Sequence, residues 1–552
     1  MYSNKENVNI LTALLEAHGV KHAVVCPGSR NAPIVHNLNE CPGIACYPVT
    51  DERSAGFYAL GMVMQTGAPV AVCVTSGTAL LNLAPAVAEA FYQHLPLVVI
   101  SADRPACWVG QLDGQTLPQP DALGRFVKQA VSLPEPVDDE QRWYCNRLVN
   151  EALLALGSRG GGPVHINVPI AEPLFDFSVE SLPCERAMTL LPAKADGGGV
   201  GPFCLEAFVA AERPMVVVGQ MAEAEALGEA LGVITRHAVV LHESLCAVPG
   251  TCRFDEVLCR VGQDDGAYMP DFVLYVGGSI VSKRLKKFLR KAGDARMFFV
   301  AEDGAVCDTF MHLEGIIEGS PADVLQAVAA GLCAKPESAS EAYRALWQQA
   351  LAEAARLALD YEPPYSQMAA VKYFEEQLED MDYQYHVHYA NSTSVRLANI
   401  YADHYVYCNR GVNGIEGSLS AAAGFSVTAA GMVFCVVGDL SFFYDQNALW
   451  NRNLKGNLRI ILLNNGGGGI FHQLKGLGQS AARDGLVAAA HHTEARGICI
   501  QNDMGYLAAK DMQEMRMGIV RLLTEEVNRP MLLEVFTDVQ EDERAMKTYL
   551  EL

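Results

Sequence analysis

Val436-Val437-Gly438-Asp439-Leu440-Ser441, followed by Leu462-Leu463-Asn464-Asn465-Gly466-Gly467, decides the fold. Each half is an aliphatic run that stops at small and polar residues, the pattern of a buried strand reaching its carboxyl end. The segment 442–457 has room for one crossover helix, so the two strands are expected side by side and parallel. Their carboxyl ends then converge, and in open α/β sheets ligands bind there. Asp439 and Asn465, 26 positions apart (465 − 439), would give two oxygens to a hard cation. Mg2+ takes few protein oxygens and leaves the rest of its shell to phosphate and water. A helix starting after Ser441 would turn free N–H groups to the same phosphates. Gly438-Asp439 alone, or Asn464-Asn465-Gly466 alone, reads as a strand-end turn; the two at one-helix separation read as a site.

The same alternation runs through the whole chain. Strands are expected in HAVVCP (22–27), ACYPV (45–49), PVAVCVT (69–75), LPLVVISA (95–102) and PVHINVP (163–169). A middle block has PMVVVG (214–219), DFVLYVG (271–277) and RMFFVAE (296–302), and a last block has YVYCN (405–409), MVFCVVGD, LRIILLNN and MLLEVFT (531–537). Helical patterns such as NILTALLEAHG (9–19) and SAGFYALGMVMQTG (54–67) lie between. Strands alternating with helices imply an α/β protein of doubly wound parallel sheets. The Gly/Pro-rich passage at 191–201 reads as a linker, and the Ala-rich stretch 341–359 before Pro363-Pro364 as a second boundary. Three domains are expected, over 1–185, 200–335 and 360–552. The turn Val218-Gly219-Gln220 lacks a full G-x-G-x-x-G, so no dinucleotide is assigned to the middle one.

Composition narrows the functions. Of 552 residues, 50% are hydrophobic and 19% charged, which excludes disorder, and the formal net charge of −23 argues against nucleic acid or an anionic membrane as partner. If the substrate is an anion, its cations must be gathered locally. The 16 cysteines include no Cys-x-x-Cys pair and the N-terminus has no secretory pattern, so a cytoplasmic location is expected. The uncharged runs between Arg53 and Glu89 and between Glu416 and Asp439 are broken by Gly and Pro or end in a β-type run, and read as buried helix–turn–strand passages rather than membrane spans.

Gly-Asp followed some 25–30 residues later by Asn-Asn resembles the diphosphate-and-metal motif of thiamin diphosphate enzymes. The resemblance implies thiamin diphosphate and Mg2+ (or Mn2+) as cofactors. Metal ligands would be Asp439, Asn465 and the carbonyl of Gly467, with Gly438, Leu440, Ser441 and Ile470 lining the cofactor. Asp51-Glu52-Arg53-Ser54-Ala55-Gly56 is similar to the family segment whose glutamate contacts the cofactor pyrimidine, which gives Glu52 the catalytic part; by position alone it would be an acid at a helix N-terminus. Ile415 would support the bent cofactor, and Ser76-Gly77-Thr78 would lie by the pyrimidine. In this superfamily the site is shared between subunits, so a homodimer or homotetramer is implied.

Three further motifs narrow the resemblance: Cys26-Pro27-Gly28-Ser29-Arg30-Asn31-Ala32-Pro33, Ser101-Ala102-Asp103-Arg104-Pro105 and Asn409-Arg410-Gly411-Val412-Asn413-Gly414-Ile415-Glu416-Gly417. Together with Gly-Asp-Leu-Ser and Gly468-Gly469-Ile470-Phe471 they look like the menaquinone-pathway synthases of 2-succinyl-5-enolpyruvyl-6-hydroxy-3-cyclohexene-1-carboxylate. That family decarboxylates 2-oxoglutarate and adds the succinyl unit to isochorismate. The resemblance implies a cationic lining of Arg30, Arg104, Lys283, Arg284, Arg396 and Arg410, hydrogen-bonding partners Ser29, Gln115 and Ser392, and an apolar wall of Phe471 and Leu474. Arginine suits carboxylates because its planar fork binds both oxygens, although a lone arginine is by default a surface charge. Gly114 and Gly466 depart from the family pattern, where Asn is frequent. Two other readings stay open on the residues: another thiamin diphosphate decarboxylase or acetohydroxyacid synthase-like carboligase, and a non-catalytic module on the same fold.

Overall fold

The computed structural model describes residues 1–190, 202–222, 225–248, 252–262, 265–332, 340–474 and 476–552; the passage at 191–201, expected as a linker, lies outside them. The first sheet has β1 (His22–Val25), β2 (Ala45–Pro48), β3 (Val70–Val74), β4 (Leu97–Asp103), β5 (Gln129–Ser132) and β6 (Val164–Pro169), ordered β2-β1-β3-β4-β6-β5. The second has β7 (Pro214–Val218), β8 (Val239–His242), β9 (Phe272–Val276), β10 (Arg296–Ala301) and β11 (Leu313–Glu318), ordered β11-β10-β9-β7-β8. The third has β12 (Tyr385–Tyr389), β13 (Val406–Tyr407), β14 (Met432–Gly438), β15 (Leu458–Asn464), β16 (Gly505–Ala509) and β17 (Met531–Phe536), ordered β13-β12-β14-β15-β17-β16. Adjacent strands are parallel in all three sheets.

β3, β4 and β15 are buried at every residue, as central strands of a parallel sheet must be when helices cover both faces. β14 and β15 are neighbours in register from Val433↔Leu458 to Gly438↔Leu463, so Asp439 and Asn464 leave the sheet together. The crossover between them differs from the single helix expected. It is a six-residue helix, Asp439–Tyr444, which begins at Asp439 rather than after Ser441, and then a 3-10 turn, Gln446–Leu449. Asp445 explains the break. Its fully buried carboxylate accepts from the Ser420 amide at 2.7 Å and the Ser420 hydroxyl at 2.6 Å, tying the chain back to the preceding helix, Ser418–Thr428. Burial raises the Asp445 pKa to about 6.

The first and third sheets share a core that includes Tyr58, Val72, Phe425 and Leu462. At its centre helix Glu52–Thr66 crosses helix Ser418–Thr428 with their backbones almost touching. A Cβ on Gly61 would stand 1.9 Å from the Ala421 carbonyl oxygen, and one on Gly424 would stand 2.0 Å from that of Tyr58. Only glycine permits this approach.

Helix Glu341–Asp360, read from sequence as a boundary, buries Tyr343, Trp347 and Ala354 in the core of the middle sheet, and Trp347 Nε1 donates to the Tyr268 carbonyl at 3.2 Å. Among the described residues no helix is long and apolar enough to cross a membrane.

Candidate active site

Asp439 is 3% exposed at the carboxyl end of β14, and its carboxylate ties down the glycine loop that follows β15. Oδ2 accepts from the Asn465 amide at 3.1 Å and the Gly467 amide at 3.0 Å, and Oδ1 from the Leu440 amide at 2.6 Å. Burial raises the Asp439 pKa, against the pull of these backbone donors and of His491. The His491 Nε2 is 3.5 Å from Asp439 Oδ2, buried and without a hydrogen bond, while Nδ1 accepts from the Thr493 amide at 3.0 Å. That bond leaves Nε2 as the protonated nitrogen, aimed at the carboxylate.

The loop itself leaves no room for side chains. Gly467 has φ +156, and a Cβ there would meet the Ala488 carbonyl oxygen at 2.9 Å. Asn465 donates Nδ2 to Asp542 Oδ2 at 2.9 Å, which keeps its Oδ1 as the available acceptor. A carboxylate, an amide oxygen and the Gly467 carbonyl form an oxygen set suited to a hard cation. Among the described residues no group of three or more His, Cys, Asp and Glu offers an alternative. The residues fit the implied metal.

Around this loop Ser441 Oγ donates to the Ile415 carbonyl, fixing the peptide beneath a side chain that is 44% exposed. Ile470 and Phe471 are half-buried in the turn Gly469–Gln473, and Leu474 is exposed.

The predicted cations fall into two groups. Arg30 is buried, donating to the Ile170 carbonyl at 2.8 Å and to Glu172 at 3.3 Å, and Arg104 lies 3.4 Å from Asp113 and 3.9 Å from Glu172. Desolvation, then the Arg104 charge, lowers the Arg30 pKa, so the two cations are close. They share the carboxyl end of the first sheet with Glu52, Ser76, Gly77 and Thr78. Glu52 opens helix Glu52–Thr66, which Asp51 caps at the Ser54 amide, and accepts from Asn82 Nδ2 at 3.2 Å. The Gly77 amide donates at 2.7 Å to Gln119, a fully buried amide that also donates to the Ala102 carbonyl and Asn167. Ser29 and Gln115 are exposed.

The second group comes from the middle and last sheets. Arg410 is buried and donates to Asn391 Oδ1 at 2.9 Å. Arg284 pairs with Asp255, to which Ser282 also donates. Arg396 makes no ion pair among the described residues, and its buried Nε has no partner. Burial lowers its pKa, with Asp255 opposing and Arg410 adding to the effect. A half-buried guanidinium with no carboxylate at ion-pair distance can take an anionic ligand. Ser392 sits beside this group with φ +76. Lys283 is exposed, and it is Lys286, half-buried, whose pKa is lowered by burial and then by Arg410. Among the described residues no hydrogen bond or ion pair joins this group, or the Asp439 loop, to the Glu52–Arg30–Arg104 group.

Several supports left no signal in the sequence. Buried Glu89 accepts from the amides of Gly411 at 2.7 Å and Val412 at 2.6 Å. Asn391 donates to the carbonyls of Asn409 and Gly414, and Ser279 Oγ to that of Arg410. They hold Asn409–Gly414 from three domains at once, across separations that no local pattern reveals.

Residues 6–123 match the model of a thiamine pyrophosphate enzyme N-terminal TPP binding domain. Three relatives bear the name 2-succinyl-5-enolpyruvyl-6-hydroxy-3-cyclohexene-1-carboxylate synthase. That of Bacteroides thetaiotaomicron is 43% identical over 100% of this chain and 99% of its own length. The Phocaeicola vulgatus protein is 42% identical over 100% and 98%, and that of Desulfotalea psychrophila 36% identical over 97% and 98%. Identity of this extent, end to end and through all three sheets, places the chain among thiamine pyrophosphate enzymes, in the family of 2-succinyl-5-enolpyruvyl-6-hydroxy-3-cyclohexene-1-carboxylate synthases.

Proposed function

We propose that this protein decarboxylates 2-oxoglutarate and joins the remaining succinyl unit to isochorismate, giving carbon dioxide and 2-succinyl-5-enolpyruvyl-6-hydroxy-3-cyclohexene-1-carboxylate in menaquinone biosynthesis. The observation that carries this reading is the cluster of buried Arg410 with the half-buried Arg284 and Arg396, Arg396 lacking an ion-pair partner among the described residues. A chain of net charge −23 has no general attraction for multiply anionic substrates and needs such a concentration of cations.

When bound, thiamin diphosphate supplies the electron sink that lets a 2-oxo acid lose carbon dioxide. Asp439, Asn465 and the Gly467 carbonyl would hold Mg2+ or Mn2+, with Gly438, Leu440 and Ser441 lining the diphosphate site. Glu52 would hydrogen-bond N1′ of the pyrimidine, near Ser76, Gly77 and Thr78, and Ile415 would support the bent cofactor. Arg396, Arg410, Arg284, Arg30 and Arg104 bind and orient the carboxylates, with Ser29, Gln115 and Ser392 as hydrogen-bonding partners and Lys283 at the margin. Ile470, Phe471 and Leu474 form the apolar side that excludes water. The protein acts in the cytoplasm.

The two groups of site residues are proposed to meet between subunits of a homodimer or homotetramer. Val412, Ile415, Tyr444, Trp450, Leu81 and Tyr92 are exposed apolar side chains on the two halves, a cost that a second copy would remove.

Purified protein with thiamin diphosphate and Mg2+ is expected to consume 2-oxoglutarate, much faster when isochorismate is present. Equal rates on pyruvate and 2-oxoglutarate would contradict the reading. Co-expressed Glu52→Gln and Asp439→Ala chains should recover up to about half of wild-type activity per dimer, because one of the two sites escapes both lesions when the sites act independently. No activity from a folded heterodimer that binds cofactor would refute the shared site.

A further inference from the structure

We propose that Asp542 is a positioning residue for Asn465, fixing which end of that amide faces the metal; this rests on the metal reading above. Asp542 lies in the first turn of the last helix, Val539–Glu551, 77 residues from Asn465 (542 − 465). Its Oδ1 accepts from the Gln367 backbone amide at 2.8 Å. Its Oδ2 accepts from Thr537 Oγ1 at 2.8 Å and Asn465 Nδ2 at 2.9 Å. The carboxylate is held firmly, because Gln367 begins one helix and Asp538 caps the other at the amides of Gln540 and Glu541.

The chemistry follows from donor and acceptor roles. A carboxamide has nearly the same shape either way round, so packing alone does not choose between its oxygen and its nitrogen. A carboxylate accepts only, and therefore selects Nδ2. That choice reserves Oδ1 for the cation, which requires a lone pair and repels an NH2 group. Outer partners of metal ligands act in this way, and removing one typically costs about 10–100-fold in metal affinity.

The isosteric variant Asp542→Asn separates this role from a structural one. The Gln367 amide can only donate, so the introduced carboxamide must turn its oxygen there and its NH2 toward Asn465. Asn465 then reverses, and its NH2 points at the metal. Mn2+ affinity, read from the free-Mn2+ electron paramagnetic resonance signal at saturating thiamin diphosphate, is expected to fall at least about tenfold, with the melting temperature near wild type. In the double variant Asn465→Asp/Asp542→Asn the new carboxylate accepts from the introduced carboxamide and offers its other oxygen to the metal, so affinity should return. Thr537→Val removes another hydrogen bond of the same carboxylate and should leave Mn2+ binding intact. Wild-type Mn2+ affinity in Asp542→Asn overturns the proposal while Asp439→Ala has lost its affinity. An equal loss in Thr537→Val would assign the effect to local packing and overturn it too. Wild-type affinity in Asp439→Ala would instead remove the metal reading, and the proposal with it.

Discussion

Counted from its own first strand, the sheet over 22–169 and the sheet over 385–536 follow one order, 2-1-3-4-6-5, yet their corresponding strand ends carry different chemistry. β3 stops at Thr75-Ser76-Gly77, a neutral turn whose amide is held by the buried Gln119, whereas its counterpart β14 stops at Asp439, a buried acid held by three backbone amides. β4 runs into Asp103-Arg104 and its counterpart β15 into Asn464-Asn465. Topology supplies a pair of converging strand ends in both places. Side chains then decide whether such an end suits a neutral ring and anionic substrates or a cation with its phosphates.

The strongest way to test that division is to damage one acid on each side. Glu52→Gln should lower C2 proton exchange of the bound cofactor by about 10²–10⁴-fold while leaving cofactor affinity close to wild type. Asp439→Ala should instead abolish the Mg2+ dependence of cofactor binding, followed by titration with and without metal. Matching defects in both assays would erase the distinction. Next in size is Arg396→Ala. Losing one partner of a desolvated charge pair costs about 2–5 kcal/mol, or roughly thirtyfold to several-thousandfold in turnover of 2-oxoglutarate. Cofactor affinity should be unchanged, and a selective loss of cofactor binding would move Arg396 out of the substrate group.

The seam between the two halves can be tested through Gly424→Val. Its side chain would enter space held by the Tyr58 backbone, which no rotamer relieves, so a loss of about 3 kcal/mol is expected in denaturant unfolding. A wild-type midpoint would mean that the helices can separate without cost.

The smallest effects are opposite pH slopes. Burial pushes the His165 pKa down to about 4 in the first sheet, where Ser101 Oγ lies 2.8 Å from Nε2. The unfolded chain therefore binds a proton that the folded chain refuses, and this site removes stability as pH falls from about 6.5 toward 4. In the third domain His404 contacts Glu375 at 2.8 Å, and although burial opposes it, the Glu375 charge raises its pKa. Its contribution is complete below about pH 6.5 and disappears as pH rises through the folded value. His165→Gln should flatten the acid side of the stability profile. His404→Gln should destabilise most at acid pH, with the gap to wild type closing toward alkaline pH. Gaps that are constant with pH would exclude both assignments.

The sequence carried the interior strands well and the edges poorly. β5, β8, β11 and β16 escaped notice, and each lies at a sheet edge; in β5, β11 and β16 most residues are partly or fully exposed, whereas β8 is only four residues long. β12 was hidden for another reason: Tyr385-His386-Val387-His388-Tyr389 looks polar, but His388 is buried and neutral, its pKa lowered to about 3. The crossover after β14 was misread because the contact that ends its helix, Asp445 to Ser420, spans 25 residues and leaves no local trace.

What the sequence determined alone was everything encoded in short runs: three α/β units, the Gly-Asp and Asn-Asn strand ends, and the arginine motifs. Hydrophobic period and turn chemistry are local properties, and a motif keeps its spacing when the fold is unknown. Tertiary structure decided how those pieces are held. It set Gly61 against Ala421 and Gly424 against Tyr58, Glu89 beneath the Arg410 loop, His491 on Asp439 and Asp542 on Asn465. Each of these contacts joins distant segments, and a hydrogen bond or a close backbone approach is fixed by distance and direction in space, which the order of residues does not record.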